Sequence, residues 1–486
     1  MVNLHVFFIT RSSSGTGDKA MLTYSLDDRE KLPVYEFLYR SIRNDILEGK
    51  LRAGEKLPPK RVFAEHLGVS VVTVENAYAQ LLLEGYLEAK ERRGYFVSAV
   101  TGGPVKSAAA FSVPDLKEQQ SREWFADLKT NRPLPERFPF SVWAKLMREV
   151  LTERDPALLS PMPGQGLFRL REAIAAYLDR FRGMAVLPSQ IVIGAGTEFL
   201  YGLAVQLLGR EKLYAVEDPG YGRVSQAIAA HGARCVPVPL DEQGISVAAL
   251  SKTGAQVAHL SPAHHFPTGR VTPAARRREL LSWAEGGRFL IEDDYDSEFR
   301  FFGKPMPTIQ SIDRGGRVLY LNTFSKTMTP AIRISYLVLP EALARRFAEH
   351  PAACTVSSFE QMALAKFISG GYFESHLARS RNFYRRQRDD LIAAIRQSPL
   401  GKKSVIREAD AGLHFLLQVQ SPHSDAALVS RAAAQGVNLS CLSEYCSDPA
   451  LAPQGCVVVN FTGIKPEQMG EAARRLSIAV LGEGAF

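Results

Sequence analysis

The sequence predicts an α/β protein in two parts: a small three-helix unit closed by a hairpin near the N-terminus, then a large domain on a mostly parallel sheet. Three observations predict it. A chain of 486 residues exceeds what one hydrophobic core organises. Apolar residues recur at helical spacing from 33 to 85, then give way to two short strand patterns. Beyond about residue 133, apolar runs of strand length alternate with helical stretches, as in a parallel sheet covered by helices.

Each element has a local cause. Val34, Leu38, Ile42 and Ile46 recur every four residues and give the helix Pro33 to Glu48 one buried stripe, which Gly49 ends. A second helix fits Pro59 to His66, stopped by Gly68. The third opens at Ser70, a good N-cap, turns Val74, Ala77, Tyr78 and Leu81 inward and stops at Gly85. Tyr86 to Val97 then reads as two strands around a turn at Arg92 to Gly94, so residues 31–99 make a winged helix-turn-helix. Residues 1–30, with a Ser/Gly/Thr-rich run, read as a flexible extension in which Met21 competes with Met1 as the natural start. Residues 100–132 have linker composition, and 133–486 form the large domain, with strands expected at Gln190 to Gly194, Lys212 to Val216, Gln256 to Leu260, Arg288 to Glu292 and Arg317 to Leu321.

Bulk chemistry excludes several classes. The composition, 46% hydrophobic and 23% charged, is that of a folded globular chain. A net charge of +8 suits a polyanionic partner, yet residues 21–98 hold twelve Lys+Arg against twelve Asp+Glu, so charge alone does not argue for DNA. Five cysteines at no metal-ligand spacing suggest neither a disulfide framework nor a zinc site, and a reducing cytoplasm fits. No secretory signal and no membrane span are expected.

Four segments carry chemistry. Asn322 to Arg333, directly after an expected strand, offers Lys326 among hydroxyl residues: an amine for an aldehyde beside donors for a phosphate, or simply a solvated lysine in a polar loop. Phe289 to Phe299 runs from an apolar strand into a dense acidic cluster at the sheet's ligand-binding edge. Two readings compete there, a metal site and a single Asp paired with a protonated pyridine nitrogen. Ser261 to Gly269 is a loop after a strand, and Gly194-Ala-Gly-Thr-Glu198 turns from strand to helix, where the first N–H groups suit a phosphate.

In this order, Gly194 to Glu198, Glu217-Asp-Pro-Gly-Tyr221, Ser261 to Gly269, Ile291 to Phe299, Thr323 to Thr327 and Ala411-Gly-Leu-His414 resemble the fold-type I aminotransferase domain of MocR/GabR-type regulators. Leu57-Pro-Pro-Lys-Arg61, Leu67 to Ser70, Thr73-Val74 and Ala77-Tyr78 are similar to the GntR-type winged helix of that family. The resemblance implies a pyridoxal 5'-phosphate (PLP) cofactor, a smaller C-terminal α+β subdomain and a homodimer, head-to-tail. It makes Lys326 the lysine that bonds the cofactor aldehyde, Asp293 the partner of the ring nitrogen and Tyr295 the donor to the ring hydroxyl. Tyr221 becomes the stacking residue, while Thr323, Ser325, Arg333 and the N–H groups near Gly196 and Thr197 surround the phosphate. Arg223 either faces an acidic effector group or is a solvated arginine; Asp294, Asp296 and Glu298 are expected to face solvent or cap the loop rather than bind metal. Lys60, Arg61, Ser70, Thr73, Arg92 and Arg93 are the expected contacts to double-stranded DNA.

The implied function is a PLP-dependent transcription regulator. PLP or an amine effector would alter binding to an operator with repeated half-sites. The alternatives are a working aminotransferase with an appended DNA-binding domain, and a DNA binder whose large domain has lost PLP. Four departures from the family pattern matter. Phe266 stands where aminotransferases carry Asn. Cys456 to Phe461 lacks the usual carboxylate-gripping arginine and reads as apolar only. Pro161 to Gly164 lacks a tyrosine lent to the neighbouring subunit, and Val71-Val72 replaces a common phosphate-binding arginine.

Overall fold

The computed structural model describes residues 21–29, 32–99, 123–301, 303 and 306–482. They fall into two compact units dividing at residues 121 and 122. The first is the expected winged helix: α1 (Val34–Leu47), α2 (Lys60–Leu67), α3 (Val71–Leu83) and an antiparallel hairpin of β1 (Leu87–Lys90) and β2 (Gly94–Val97). Ser70 caps α3 by accepting from the Thr73 N–H, and Gly68 ends α2 in the left-handed region. Leu38, Ile42, Phe63, Val74, Ala77, Tyr78 and Leu81 are buried together. Residues 21–29, expected within a flexible extension, instead pack on this core: Leu22, Tyr24 and Leu26 touch it, and the Tyr24 hydroxyl donates to Asp45 at 2.8 Å. A mixed apolar and polar run too short for periodicity hid that docking. The rest of the extension, residues 1–20 and 30, lies outside the described residues.

In the second unit, β3 (Ala126–Asp127) comes first, then β4 (Ile191–Gly194), β5 (Leu213–Asp218), β6 (Arg234–Asp241), β7 (Gly244–Ile245), β8 (Val257–Leu260), β9 (Phe289–Asp293), β10 (Val318–Thr323) and β11 (Ser335–Val338). Strands β4 to β11 form one eight-stranded sheet in the order β4-β11-β10-β9-β8-β5-β6-β7. Neighbours from β10 through β6 run parallel, while β11 is antiparallel to both its neighbours and β7 to β6. Apolar cores lie on both faces, which is why β8 and β10 are buried throughout and β9 in all but its first residue.

The smaller subdomain follows: β12 (Ser404–Arg407), β13 (His414–Val419), β14 (Val437–Asn438), β15 (Ser440–Cys441) and β16 (Cys456–Asn460). Four of these form an antiparallel sheet ordered β12-β13-β16-β15, packed with the helices Tyr372–Gln397 and Met469–Leu481. Residues 123–132, read as linker, belong to this subdomain. Strand β3 pairs in parallel with β14, and Ala126 and Leu128 are buried in its core. Short, isolated apolar residues gave no periodic signal there; residues 100–122 of that linker lie outside the described residues.

Candidate functional site

Parallel strands β5, β8, β9 and β10 end on one edge of the sheet, and the residues at or just beyond their ends line one cleft of about 820 Å³. Asp293 closes β9. Thr323 closes β10 and begins the tight turn that carries Ser325 and Lys326; its hydroxyl accepts from the Ser325 N–H at 3.1 Å and from the Ser335 hydroxyl at 2.8 Å. The Lys326 amine sits half-buried in the cleft, and burial lowers its pKa, partly opposed by the charge of Asp296. A lowered value favours the neutral, nucleophilic amine.

One oxygen of Asp293 accepts from the buried Tyr201 hydroxyl, with His259 Nε2 at 3.5 Å from the same carboxylate. Its other oxygen, Oδ1, is buried without a partner. Such an acceptor costs about 1–3 kcal/mol until a donor arrives. A pyridinium N–H is a donor of the right kind. Tyr295 is held by His264, whose Nδ1 lies 3.2 Å from the phenol oxygen and 2.9 Å from Asp296. Burial raises the Tyr295 pKa, so the phenol stays a proton donor. His264, Asp296 and His414 come within 4.8 Å of one another, all buried, but the Asp296 carboxylate is already satisfied by His264 and by the Leu413 N–H.

The opposite end of the cleft suits a dianion. Gly196, at φ +98°, caps the twelve-residue helix Thr197–Leu208, whose first N–H groups lack intrahelical acceptors. Arg333 lies against Gly196 so closely that a Cβ there would stand 2.2 Å from its guanidinium. Thr197, Thr323, Ser325 and Arg333 all line this end. Tyr221 lines the wall, half-exposed and edge-on to Phe266.

Arg223 sits at the rim, where it pairs with Glu198 at 3.1 Å. Asp294, Asp296 and Glu298 do not face solvent. All three are buried: Asp294 meets Arg182 at 2.5 Å, Asp296 meets His264, and Glu298 accepts from Asn322. Partners remote in sequence reversed that expectation. Strand β16 also gives the cleft a polar residue, Asn460, where the run looked purely apolar. Sequence reasoning missed Tyr201, His259, Asn131 and Asn460. Only Tyr201 left a signal, four residues after Thr197 and so on the same helix face.

In the winged helix, Arg61, Arg92 and Arg93 are exposed. Lys60 instead pairs with Glu75 at 2.6 Å, and the Ser70 and Thr73 hydroxyls bond each other at 2.8 Å within the α3 cap.

With a lysine in the cleft, an aspartate oxygen waiting for a donor and an anion cradle at one sheet edge, the arrangement is that of a pyridoxal-phosphate protein of the aminotransferase type. Residues 125–476 match the family model for aminotransferase class I and II, and residues 34–97 match that for bacterial regulatory proteins of the gntR family. The chain therefore belongs to the MocR/GabR subfamily of GntR-type regulators. It is 33% identical to the probable rhizopine catabolism regulatory protein MocR of Rhizobium meliloti, over 94% of this chain and 95% of that one. It is 34% identical to the HTH-type transcriptional regulator YdeL of Bacillus subtilis (92% and 97%). With the pyridoxine biosynthesis regulator PdxR of Corynebacterium glutamicum it shares 31% identity (88% and 92%). Among solved structures, the multiple substrate aminotransferase of Thermococcus profundus shares the fold at TM-score 0.66 and 24% identity, covering 78% of this chain and 96% of that one.

Proposed function

We propose that this protein is a PLP-dependent transcription regulator whose operator binding is set by what occupies the Lys326 cleft. The observation that carries this reading is the presence, in one chain, of a gntR-type winged helix and a cleft whose lysine, aspartate and phosphate cradle fit PLP. When bound, PLP supplies an aldehyde that condenses with primary amines and a ring that withdraws electrons. The chain's own residues do the rest. Asp293 holds a proton on the ring nitrogen, backed by Tyr201 and His259. Tyr295, steadied by His264, donates to the ring oxygen. Arg333, Thr197, Thr323 and Ser325 hold the phosphate, and Tyr221 covers the ring.

Control of DNA requires that an occupied cleft favour one arrangement of the protein over another. A homodimer, head-to-tail, on an operator with repeated half-sites meets that need, in a cytoplasmic setting. Exposed Phe140, Leu151, Leu159 and Phe168 are apolar surface of the kind that a second copy would cover. On the DNA side, Arg61, Arg92 and Arg93 supply phosphate contacts, with Ser70 and Thr73 at the reading end of α3 and Lys60 released from Glu75. A working aminotransferase is the second reading, favoured by the intact Lys326 and Asp293 pair.

One experiment separates them. Purified protein given PLP is expected to develop the cofactor's visible absorption, Lys326→Ala to lose it, and the wild type to retard its own promoter DNA in a salt-sensitive manner. Absence of absorption and of a DNA complex at low salt overturns the proposal. Sustained multiple turnover of amino donor and keto acid without DNA binding establishes the second reading.

A further inference from the structure

Two of the polar side chains lining the cleft, Asn131 and Asn460, carry acceptors without donors. Asn460 is fully buried on β16, and its Nδ2 donates to the carbonyls of Leu128 and Lys129 at 3.0 and 2.9 Å. Those two bonds fix the carboxamide's orientation, so its Oδ1 faces the other way, and this atom has no partner. The segment that supplies those carbonyls continues to Asn131, whose Oδ1 is also buried and unpartnered. Both residues line the cleft that holds Lys326. Two carbonyl oxygens are thus withdrawn from water with nothing to accept from, the same signature that Asp293 Oδ1 gives at the cofactor end.

The cations nearby are committed. Lys129 is engaged by Glu444 at 2.7 Å and Arg223 by Glu198 at 3.1 Å, while Lys326 and Arg333 have roles toward the cofactor. Part of the wall is aromatic: Phe266 packs edge-on against Tyr221 and Tyr445, with ring centroids 5.8 and 5.1 Å apart, and all three line the cleft. Ring faces and bare carbonyl oxygens attract ammonium and other donors and repel carboxylate.

Resting on the reading of this cleft as a PLP-dependent sensor, we infer that the effector is a primary amine whose far end is a hydrogen-bond donor without negative charge, an ammonium or hydroxyl, rather than an amino acid. The effector's amine would take the place of the Lys326 amine on the cofactor's aldehyde carbon, the bond to Lys326 breaking and the lysine leaving as a free amine, and the far end would donate to Asn131 and Asn460. A carboxylate placed there would face two lone-pair oxygens and remain desolvated.

The test is a spectral titration of the full-length PLP-loaded protein with four three-carbon amines: propylamine, propanolamine, diaminopropane and beta-alanine. Diaminopropane and propanolamine are expected to change the cofactor spectrum at concentrations at least about tenfold below propylamine, one charge-assisted hydrogen bond's worth, with beta-alanine weakest. Asn131→Ala is expected to draw the propanolamine-to-propylamine ratio towards unity, and Asn131→Asp to favour diaminopropane over propanolamine further. If beta-alanine acts at the lowest concentration, the inference is wrong and Arg223 becomes the better effector contact. If all four act alike in the wild type, it is likewise wrong, although the sensor reading stands. If no cofactor spectrum forms at all, the failure belongs to the sensor reading beneath it.

Discussion

Glu217 lines the cleft with its carboxyl buried, accepting one N–H from Ser261 at 2.9 Å, and burial raises its pKa to about 8 from an ordinary 4.5. The folded state therefore keeps a proton that the unfolded chain releases, and the sign follows from linkage. The associated stability is fully present below pH about 4.5, erodes as pH rises and is gone above about 8. Glu217→Gln keeps an acceptor for Ser261 and removes the titration. In differential scanning of the cofactor-free protein, the wild type should lose midpoint temperature between pH about 6 and 9 more steeply than this variant. Parallel curves would refute the assignment. Residues of this kind show why part of the site could not be read from sequence. Lys326, Asp293 and Tyr295 stand in dense local motifs, whereas Tyr201 meets Asp293 across 92 residues and Arg182 meets Asp294 across 112. Long-range partners leave no local spacing, so three buried acids looked like solvated ones.

At the scale of elements, capping and periodicity carried most of the fold. Helices with strong punctuation, α2 before Gly68 and α3 after Ser70, lie where sequence places them, and the five apolar runs became strands of the large sheet, four of them internal and β4 at one edge. Strand β6 escaped because Pro237 and Pro239 interrupt its pattern; on the side away from β5 it pairs only with the two-residue β7. Strand β11 escaped because it is four residues long and buried on both faces. In the wing, Arg92 occupies φ +58°, a conformation that favours glycine. An exposed arginine on the hairpin tip, in a conformation glycine would adopt more easily, fits a role in touching DNA. Arg92→Gly should leave the winged helix's thermal midpoint equal or higher while weakening operator binding and reducing the slope of log affinity against log salt by about 0.9. An unchanged slope would remove Arg92 from the phosphate contacts.

For the molecule as a whole, charge is distributed more tellingly than its sum. The net +8 of the chain leaves residues 21–98 balanced, so attraction to a polyanion must come from the exposed side of the winged helix rather than from bulk positive charge. The chain's division into units also carries an experimental consequence. Composition places the start of the large domain at 133, whereas the packing of Ala126 and Leu128 requires it no later than 126. A fragment 123–486 should fold, and a fragment 133–486 should be less stable by on the order of 3–5 kcal/mol in denaturant unfolding, since a buried leucine, a paired strand and two carbonyl acceptors are gone. Equal stability of the two fragments would contradict the role given to β3.

The pairing of β3 with β14 means that this stretch of polypeptide is first stitched into the C-terminal subdomain and then forms part of the wall of the ligand chamber through Lys129, Thr130 and Asn131. Trimming the protein where its composition looks loosest would remove that part of the chamber's wall and strand the Asn460 amide with nothing to hold. A shortened version could keep its colour with PLP and still lose its discrimination among amines.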